Sequence, residues 1–252
     1  MGVELMAGVV YLVGAGPGDP GLMTARGLEL LRSAEVVVHD SLVGEKVLRE
    51  APPDAEMLDV GKRGGGHKAE QEEINRILLE KAQQGSMVVR LKGGDPFLFG
   101  RGGEEAEHLR RHGVEVHVVP GVSASIAVPA LAGVPVTHRT LSSSVTIITG
   151  HEGDHKEGEW LDWAALARSG GTLVIMMGMS NIDRNMKRLM EGGLDPDSPV
   201  AVVQDGSSAS QRSLITTVSR AAEECRQEGM RAPSVIVVGR VVEMASLLGD
   251  LR

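Results

Sequence analysis

Short apolar, β-branched runs alternate with longer amphipathic stretches through the first half of the chain. Val9–Val13, Val36–His39, Met87–Leu91 and Val114–Val119 read as strands, and Leu22–Ser33, Ala69–Gln83 and Gly103–His112 as helices between them. In the second of these helices Ile74, Ile77, Leu78 and Lys81–Ala82 place apolar groups on one face. Parallel strands need a crossover long enough to hold a helix, so the alternation predicts an α/β unit with a mostly parallel sheet.

The pattern then restarts. Val145–Thr149, Thr172–Met176, Val200–Gln204, Ser213–Val218 and Val235–Val238 read as strands, with helices at Trp163–Arg168, Asn181–Glu191 and Arg220–Glu228. No helix separates the two strands near 200–218, which predicts local antiparallel pairing. GVPVTHRT interrupts the alternation with Pro135, so a domain junction is expected near Val134–Thr140, giving domains 1–136 and 137–252.

Glycine sharpens this picture. The 33 glycines cluster just after predicted strands: GAGPGDPG after the first, GGD after Leu91, PG after Val119, MG after Met176 and DG after Gln204. Ligands of open α/β sheets sit at strand carboxyl ends, where backbone must come close to them. Five such loops from two halves of the chain point to one ligand cleft between two α/β domains.

Charge narrows the function classes. With 26 basic and 34 acidic residues the net charge is -8, which argues against general nucleic-acid binding while leaving room for a local basic patch. Cys225 is the only cysteine, so there is no intrachain disulfide. It lies in the polar, helix-like AAEECRQEG, where an ordinary helix residue is the expectation rather than a nucleophile. No run has the length of a membrane span, and MGVELMAG is too short and too acidic for a signal peptide. A cytoplasmic enzyme is expected.

Several familiar motifs fail on inspection. VYLVGAGPGDPG has a strand, a glycine loop and a helix, but Asp19 stands where G-x-G-x-x-G needs Gly or Ala. Pro17 and Pro20 also remove backbone donors that a pyrophosphate would use. No Walker loop occurs, since Arg63 follows Gly61–Lys62. His151-Glu-Gly-Asp-His155 spells H-E-x-x-H, but Gly153 and the polar surroundings favour a loop over a zinc-binding helix. His108 and His112 stand four apart without a third ligand in view. No metal is expected.

Three segments carry more chemistry. Asp40, in DSLV after a strand, reads as a helix cap unless a role is found for it. GKRGGGHK bunches Lys62, Arg63, His67 and Lys68 in a glycine-rich stretch, which reads as a solvated turn or an anion site. RLKGGDPFLFGRGGEE runs from a strand into Gly93-Gly94-Asp95-Pro96, then Phe97, Phe99 and Arg101. Aromatics make up only 2% of the chain, so two beside a ligand-type loop carry weight. Arg101 has a plainer reading as a surface pair with Glu104 or Glu105.

In this order, these segments resemble the tetrapyrrole methylase family. The resemblance rests on G-x-G-P-G-x-x-x-L-x-T from Gly14 to Thr24, DSLV, GKR-GG-H, KGGDPFLFGRGGEE, VVPGVSAS at Val118–Ser125, LAGVPVTHR and ITGHEG. It spans the chain from Val9 to Arg240. The Asp40-Ser-Leu-Val and Gly61-Lys-Arg pieces resemble the branch that acts on uroporphyrinogen III.

The resemblance implies a class III methyltransferase type of fold: two α/β domains with S-adenosylmethionine in an inter-domain cleft, usually in a homodimer. Carried over by position, cofactor contacts fall on Pro17, Gly93, Gly94, Asp95, Leu98, Ser123, Ala124, Met177 and Gly206. The implied reaction places methyl groups on C2 and C7 of uroporphyrinogen III, giving precorrin-2 and S-adenosylhomocysteine. It implies Asp40 as proton acceptor and Lys62 as proton donor. The substrate's eight carboxylates would pair with Arg63, His67, Arg101 and Arg139. Two positions depart from the pattern: Met176 stands where relatives often carry Tyr, and Ser123 where they often carry Thr. A sister methylase acting on a later cobalamin precursor remains the alternative.

Overall fold

The computed structural model describes residues 8–61, 67–151 and 160–252. The chain divides into two units, Met1–Ser123 and Ala124–Arg252, each packed around its own sheet.

In the first unit the strands are β1 (Val9–Gly14), β2 (Val36–His39), β3 (Glu56–Asp59), β4 (Met87–Lys92) and β5 (Glu115–Val119). They form one sheet in the order β3-β2-β4-β1-β5, parallel throughout, as the alternation predicted. The helices are α1 (Ala25–Arg32), α2 (Glu45–Leu48), α3 (His67–Gln83) and α4 (Gly102–Arg111). Capping sets where α1 begins. Thr24 Oγ1 accepts from Gly27 N at 3.2 Å, and a 3-10 turn at Pro20–Leu22 precedes it with Asp19 Oδ1 accepting from Gly21 N at 2.8 Å. Asp19, which spoils the dinucleotide fingerprint, is thus a capping residue.

The central strands are buried on both faces, which explains why VVV of β2 and MVV of β4 read as apolar runs with no polar alternation. Val13, Val37, Val89 and Leu91 pack with Leu30, Leu31 and Val47 of α1 and α2. Val10, Leu12, Val36, Val38 and Val88 face the other way, onto Leu78 and Ala82 of α3 and Leu109 of α4. Each such Val or Leu stabilises the fold by about 1.5–3 kcal/mol.

The helix placement shows how the sheet is wound. Connections carrying α1 and α2 step towards β3 across one face, and those carrying α3 and α4 step towards β5 across the other. The chain leaves neighbouring β1 and β4 in opposite directions, so the topological switch point lies between their carboxyl ends.

In the second unit α5 (Ala124–Leu131) precedes β6 (Val145–Thr149), α6 (Trp163–Arg168), β7 (Thr172–Met176) and α7 (Ile182–Glu191). Then follow β8 (Pro199–Gln204), β9 (Arg212–Thr217), α8 (Ala221–Gln227), β10 (Ser234–Val238) and α9 (Ala245–Leu248). The sheet order is β6-β7-β10-β8-β9. The β8–β9 pair is antiparallel, as expected, but β10 also runs antiparallel to both β7 and β8. The sheet is therefore mixed, and only β6–β7 is a parallel pair among the described residues. Alternation along β10 sends Ile236 and Val238 to the core under α6, α7 and α8, and Val235 and Val237 to the core under α5.

The boundary between the units falls at Ser123/Ala124, whereas the sequence placed the junction at 136/137. The difference is α5: Val128 and Ala132 pack on Val174, Ala201 and Val203, all in the second unit. Buried Cys225 lies on α8, and burial pushes its thiol up to about 11, as an inert helix residue requires.

Candidate active site

The loops after β1 and β4 meet at the switch point of the first unit. Gly94 N donates to Gly16 O at 2.7 Å and Gly16 N to Gly94 O at 3.2 Å, forming a two-residue bridge. Gly94 holds φ +68°, a conformation that favours glycine. The loop after β5 closes on the same place: a Cβ on Gly121 would fall 2.2 Å from Gly94 O. Here the glycine clustering serves backbone packed on backbone, where the sequence suggested a ligand's approach. Gly93 differs, because a Cβ there would meet only Leu42 Cβ, at 3.5 Å.

Asp95 ties these loops together. Its Oδ1 accepts from Phe97 N at 2.8 Å and its Oδ2 from Gly121 N at 3.0 Å. Both oxygens are therefore engaged in shaping the loop. Pro17, Gly93, Gly94, Asp95 and Leu98 all belong to this strand-end region, and Ser123 follows two residues after Gly121. Phe97 and Phe99 lie on its surface, 56% and 40% exposed.

Asp40 sits at the end of β2, next to β4. It is not a cap: α2 begins after Gly44. Its carboxylate faces β4 instead, where Oδ1 accepts from Arg90 Nη2 at 2.5 Å and Oδ2 lies 3.9 Å from Lys92 Nζ. Both cations are also tied to Glu105 Oε1, Arg90 through Nε at 3.2 Å and Lys92 through Nζ at 3.0 Å. Gln71 Nε2 reaches the same oxygen at 3.3 Å. Arg90, Lys92 and Glu105 are buried, while Asp40 is about a third exposed, at 31%. Burial, and then Arg90 beside it, push the Lys92 ammonium below the usual lysine range.

Arg90 and Lys92 were not among the residues expected from the sequence, and Glu105 was expected only as a surface partner for Arg101. The signal was present: Arg90 and Lys92 interrupt an apolar strand at alternate positions, and Glu105 lies four residues before buried Leu109 on one helix face.

Arg101 precedes α4 with φ +59° and pairs with Glu104, Nη2 to Oε2, at 2.7 Å. That contact raises the guanidinium's pKa and lowers that of Glu104. Arg139 is exposed in the second unit. In that unit, Met177 follows β7 with φ +53°, and Gly206 follows Asp205 after β8. A Cβ on Gly206 would fall 2.4 Å from Val128 Cγ2, so the helix that begins at Ala124 packs directly on Gly206. Met176 ends β7 and packs with Ala124 against the same core.

Lys62 and Arg63 lie outside the described residues, as do the side chain of His67 and Glu152–His155 of the H-E-x-x-H stretch. His151 Nδ1 is 3.1 Å from Asn181 Nδ2. Among the described residues no three His, Cys, Asp or Glu side chains converge as a metal site would require, and no helix is long and apolar enough to cross a membrane.

Comparison with known proteins gives consistent results. The profile of the Tetrapyrrole (Corrin/Porphyrin) Methylases matches residues 9–222. The chain is 51% identical to the S-adenosyl-L-methionine-dependent uroporphyrinogen III methyltransferase of Methanosarcina barkeri, over 97% of this chain and 96% of that protein. The uroporphyrin-III C-methyltransferase of Thermus thermophilus, solved with S-adenosylhomocysteine, is 42% identical with a TM-score of 0.81. The match covers 94% of this chain and 99% of that one. Cobalt precorrin-4 methyltransferase is similar in fold, with a TM-score of 0.82 and 33% identity over 92% of this chain and 95% of that one.

Proposed function

The chain belongs to the tetrapyrrole methylases, and on that premise we propose that it methylates uroporphyrinogen III at two pyrrole carbons, C2 and C7, using S-adenosylmethionine, to give precorrin-2. The observation that carries this reading is the 51% identity, over nearly the whole of both chains, to a uroporphyrinogen III methyltransferase. Fold similarity alone does not separate it from a methylase of later corrinoid precursors, since the TM-scores are 0.81 and 0.82. Identity does, at 42% against 33%.

S-adenosylmethionine supplies an electrophilic methyl on a sulfonium. A pyrrole carbon takes the methyl in line, the C–S electron pair stays on sulfur, and S-adenosylhomocysteine leaves. The enzyme's main task is to hold the two reactants in near-attack geometry. The methylated macrocycle must then lose a proton, and Asp40 accepts it. Its Oδ1 is held by Arg90 at 2.5 Å, whereas Oδ2 is 3.9 Å from Lys92 and lies on a side chain about a third exposed, at 31%. The weakly held oxygen is the one assigned to the proton. Lys62 is assigned as proton donor by the resemblance.

The first unit offers the cofactor Pro17, Gly93, Gly94, Leu98 and Ser123, with Asp95 acting through the loop it braces. Open backbone at Gly93 suits close approach of the amino-acid or ribose part. By resemblance, Ala124, Met177 and Gly206 of the second unit are also assigned to the cofactor. Arg101 is assigned to a substrate carboxylate, exchanging Glu104 for it, because a guanidinium offers a planar fork. A homodimer working in the cytoplasm belongs to the same reading and rests on the resemblance.

Titration calorimetry with S-adenosylhomocysteine tests the cofactor assignment. One site per chain with binding weakened in Gly93→Val supports it, and no binding to folded wild type removes it.

A further inference from the structure

We propose that Glu105 is a positioning residue for methyl transfer: its buried carboxylate holds Arg90 and Lys92 in place, and through them sets Asp40. The inference rests on Asp40 being the proton acceptor and adds to it a device that fixes Asp40 from beneath.

Glu105 lies in the first turn of α4 and is 0% exposed. Three donors from two elements converge on its Oε1: Gln71 of α3, and Arg90 and Lys92 of β4. Among the described residues Oε2 is buried without a hydrogen-bond partner. Because both cations bond the same oxygen, Glu105 sets their spacing. Arg90 and Lys92 are two residues apart on a strand, and therefore project to the same face. Two cations side by side in a buried place repel, and Glu105 is the anion that lets both stay. Their remaining reach goes to Asp40, Arg90 to Oδ1 and Lys92 towards Oδ2.

The charges of these four side chains balance, two positive against two negative. A buried ion cluster is often no more stable than apolar residues of the same volume, so stability gives little reason for its presence. Its polar ends converge on Asp40, at the mouth of the strand-end loops, and placement of that carboxylate accounts for the arrangement.

The test compares wild type with Glu105→Gln, Lys92→Met, the double variant and Asp40→Asn in the methylation of uroporphyrinogen III. S-adenosylhomocysteine affinity is measured alongside. Glu105→Gln should lower kcat roughly tenfold or more while KM for S-adenosylmethionine and the Kd stay within about twofold. The double variant, which restores charge balance, should be no slower than Glu105→Gln alone, because the two residues act as one unit. Wild-type kcat in Glu105→Gln with an inactive Asp40→Asn would overturn the positioning role and leave Asp40 standing. Full turnover in Asp40→Asn would instead overturn the reading beneath it. Loss of affinity in step with kcat would mark a merely structural role and also overturn the proposal. If Glu105→Gln does not fold, Gln71→Met removes one donor from Oε1 without changing charge. A severalfold loss of kcat there supports the role, and an unchanged kcat contradicts it.

Discussion

Arg90 reaches Asp40 from inside the sheet: Nη2 lies 2.5 Å from Oδ1, on an arginine side chain that is 2% exposed. A strand residue thus fixes the carboxylate at the end of the neighbouring strand. Asp40→Asn keeps an oxygen for Arg90 to bond, so it should fold like wild type yet lose turnover by about 10²-fold or more. Asp40→Ala removes that acceptor and should cost about 1–3 kcal/mol, with the partial exposure of Asp40 pulling towards the lower end. Urea unfolding of the two variants checks this. Equal stability of wild type and Asp40→Ala would show that the Arg90 contact contributes nothing.

Neighbouring glycines in the β4 loop should respond differently. A Cβ at Gly93 would meet only Leu42 Cβ, at 3.5 Å, so Gly93→Val should largely keep its stability and lose S-adenosylhomocysteine affinity. Gly94→Ala forces an L-residue to φ +68° and should cost about 1–2 kcal/mol whatever the ligand. Thermal unfolding without ligand, followed by calorimetry, separates the two. Unchanged affinity in folded Gly93→Val removes Gly93 from the cofactor site.

Lys92 should leave a signature on the alkaline side. Its folded-state pKa is lowered from 10.5 by burial, so between that lowered value and 10.5 the unfolded chain binds more protons than the folded one. This group's contribution to stability therefore rises with pH through that window, and its penalty is fully present only below the folded pKa. Unfolding free energies measured from about neutral pH to 10.5 should climb more in wild type than in Lys92→Met. Parallel curves for the two proteins would contradict the shift.

Arg101 and Glu104 form an exposed pair, 42% and 57% exposed, so Arg101→Ala should change stability by only about 0–1 kcal/mol. Its assigned work is on the substrate. KM for uroporphyrinogen III should rise or turnover fall, more in Arg101→Ala than in Arg101→Lys, with S-adenosylhomocysteine affinity kept. Kinetics equal to wild type in Arg101→Ala would leave the residue as a surface pair only.

The hydrophobic pattern carried the strands and long helices of the first unit, because strands buried on both faces show as unbroken apolar runs. It did not show β3, whose four residues Glu56–Asp59 form a mostly exposed edge without a buried face. Nor did it show how β10 pairs, since strand direction depends on partners far along the chain. The glycines lie at strand ends, as the sequence showed, but Gly14, Gly94 and Gly121 accommodate each other's backbone, a distinction only three-dimensional packing makes. Asp40 was visible through resemblance. Arg90, Lys92 and Glu105 left only the weaker signal of charges on an apolar strand and on the face of Leu109, because a charged residue in sequence reads as solvated until its burial is known.

The central claim is tested most directly by incubating the purified protein with uroporphyrinogen III and S-adenosylmethionine and identifying the product by mass and absorption. The account predicts precorrin-2, with two methyl groups added per macrocycle and two molecules of S-adenosylhomocysteine released. A protein that binds S-adenosylhomocysteine, leaves uroporphyrinogen III unmethylated and methylates a later corrinoid precursor would contradict it.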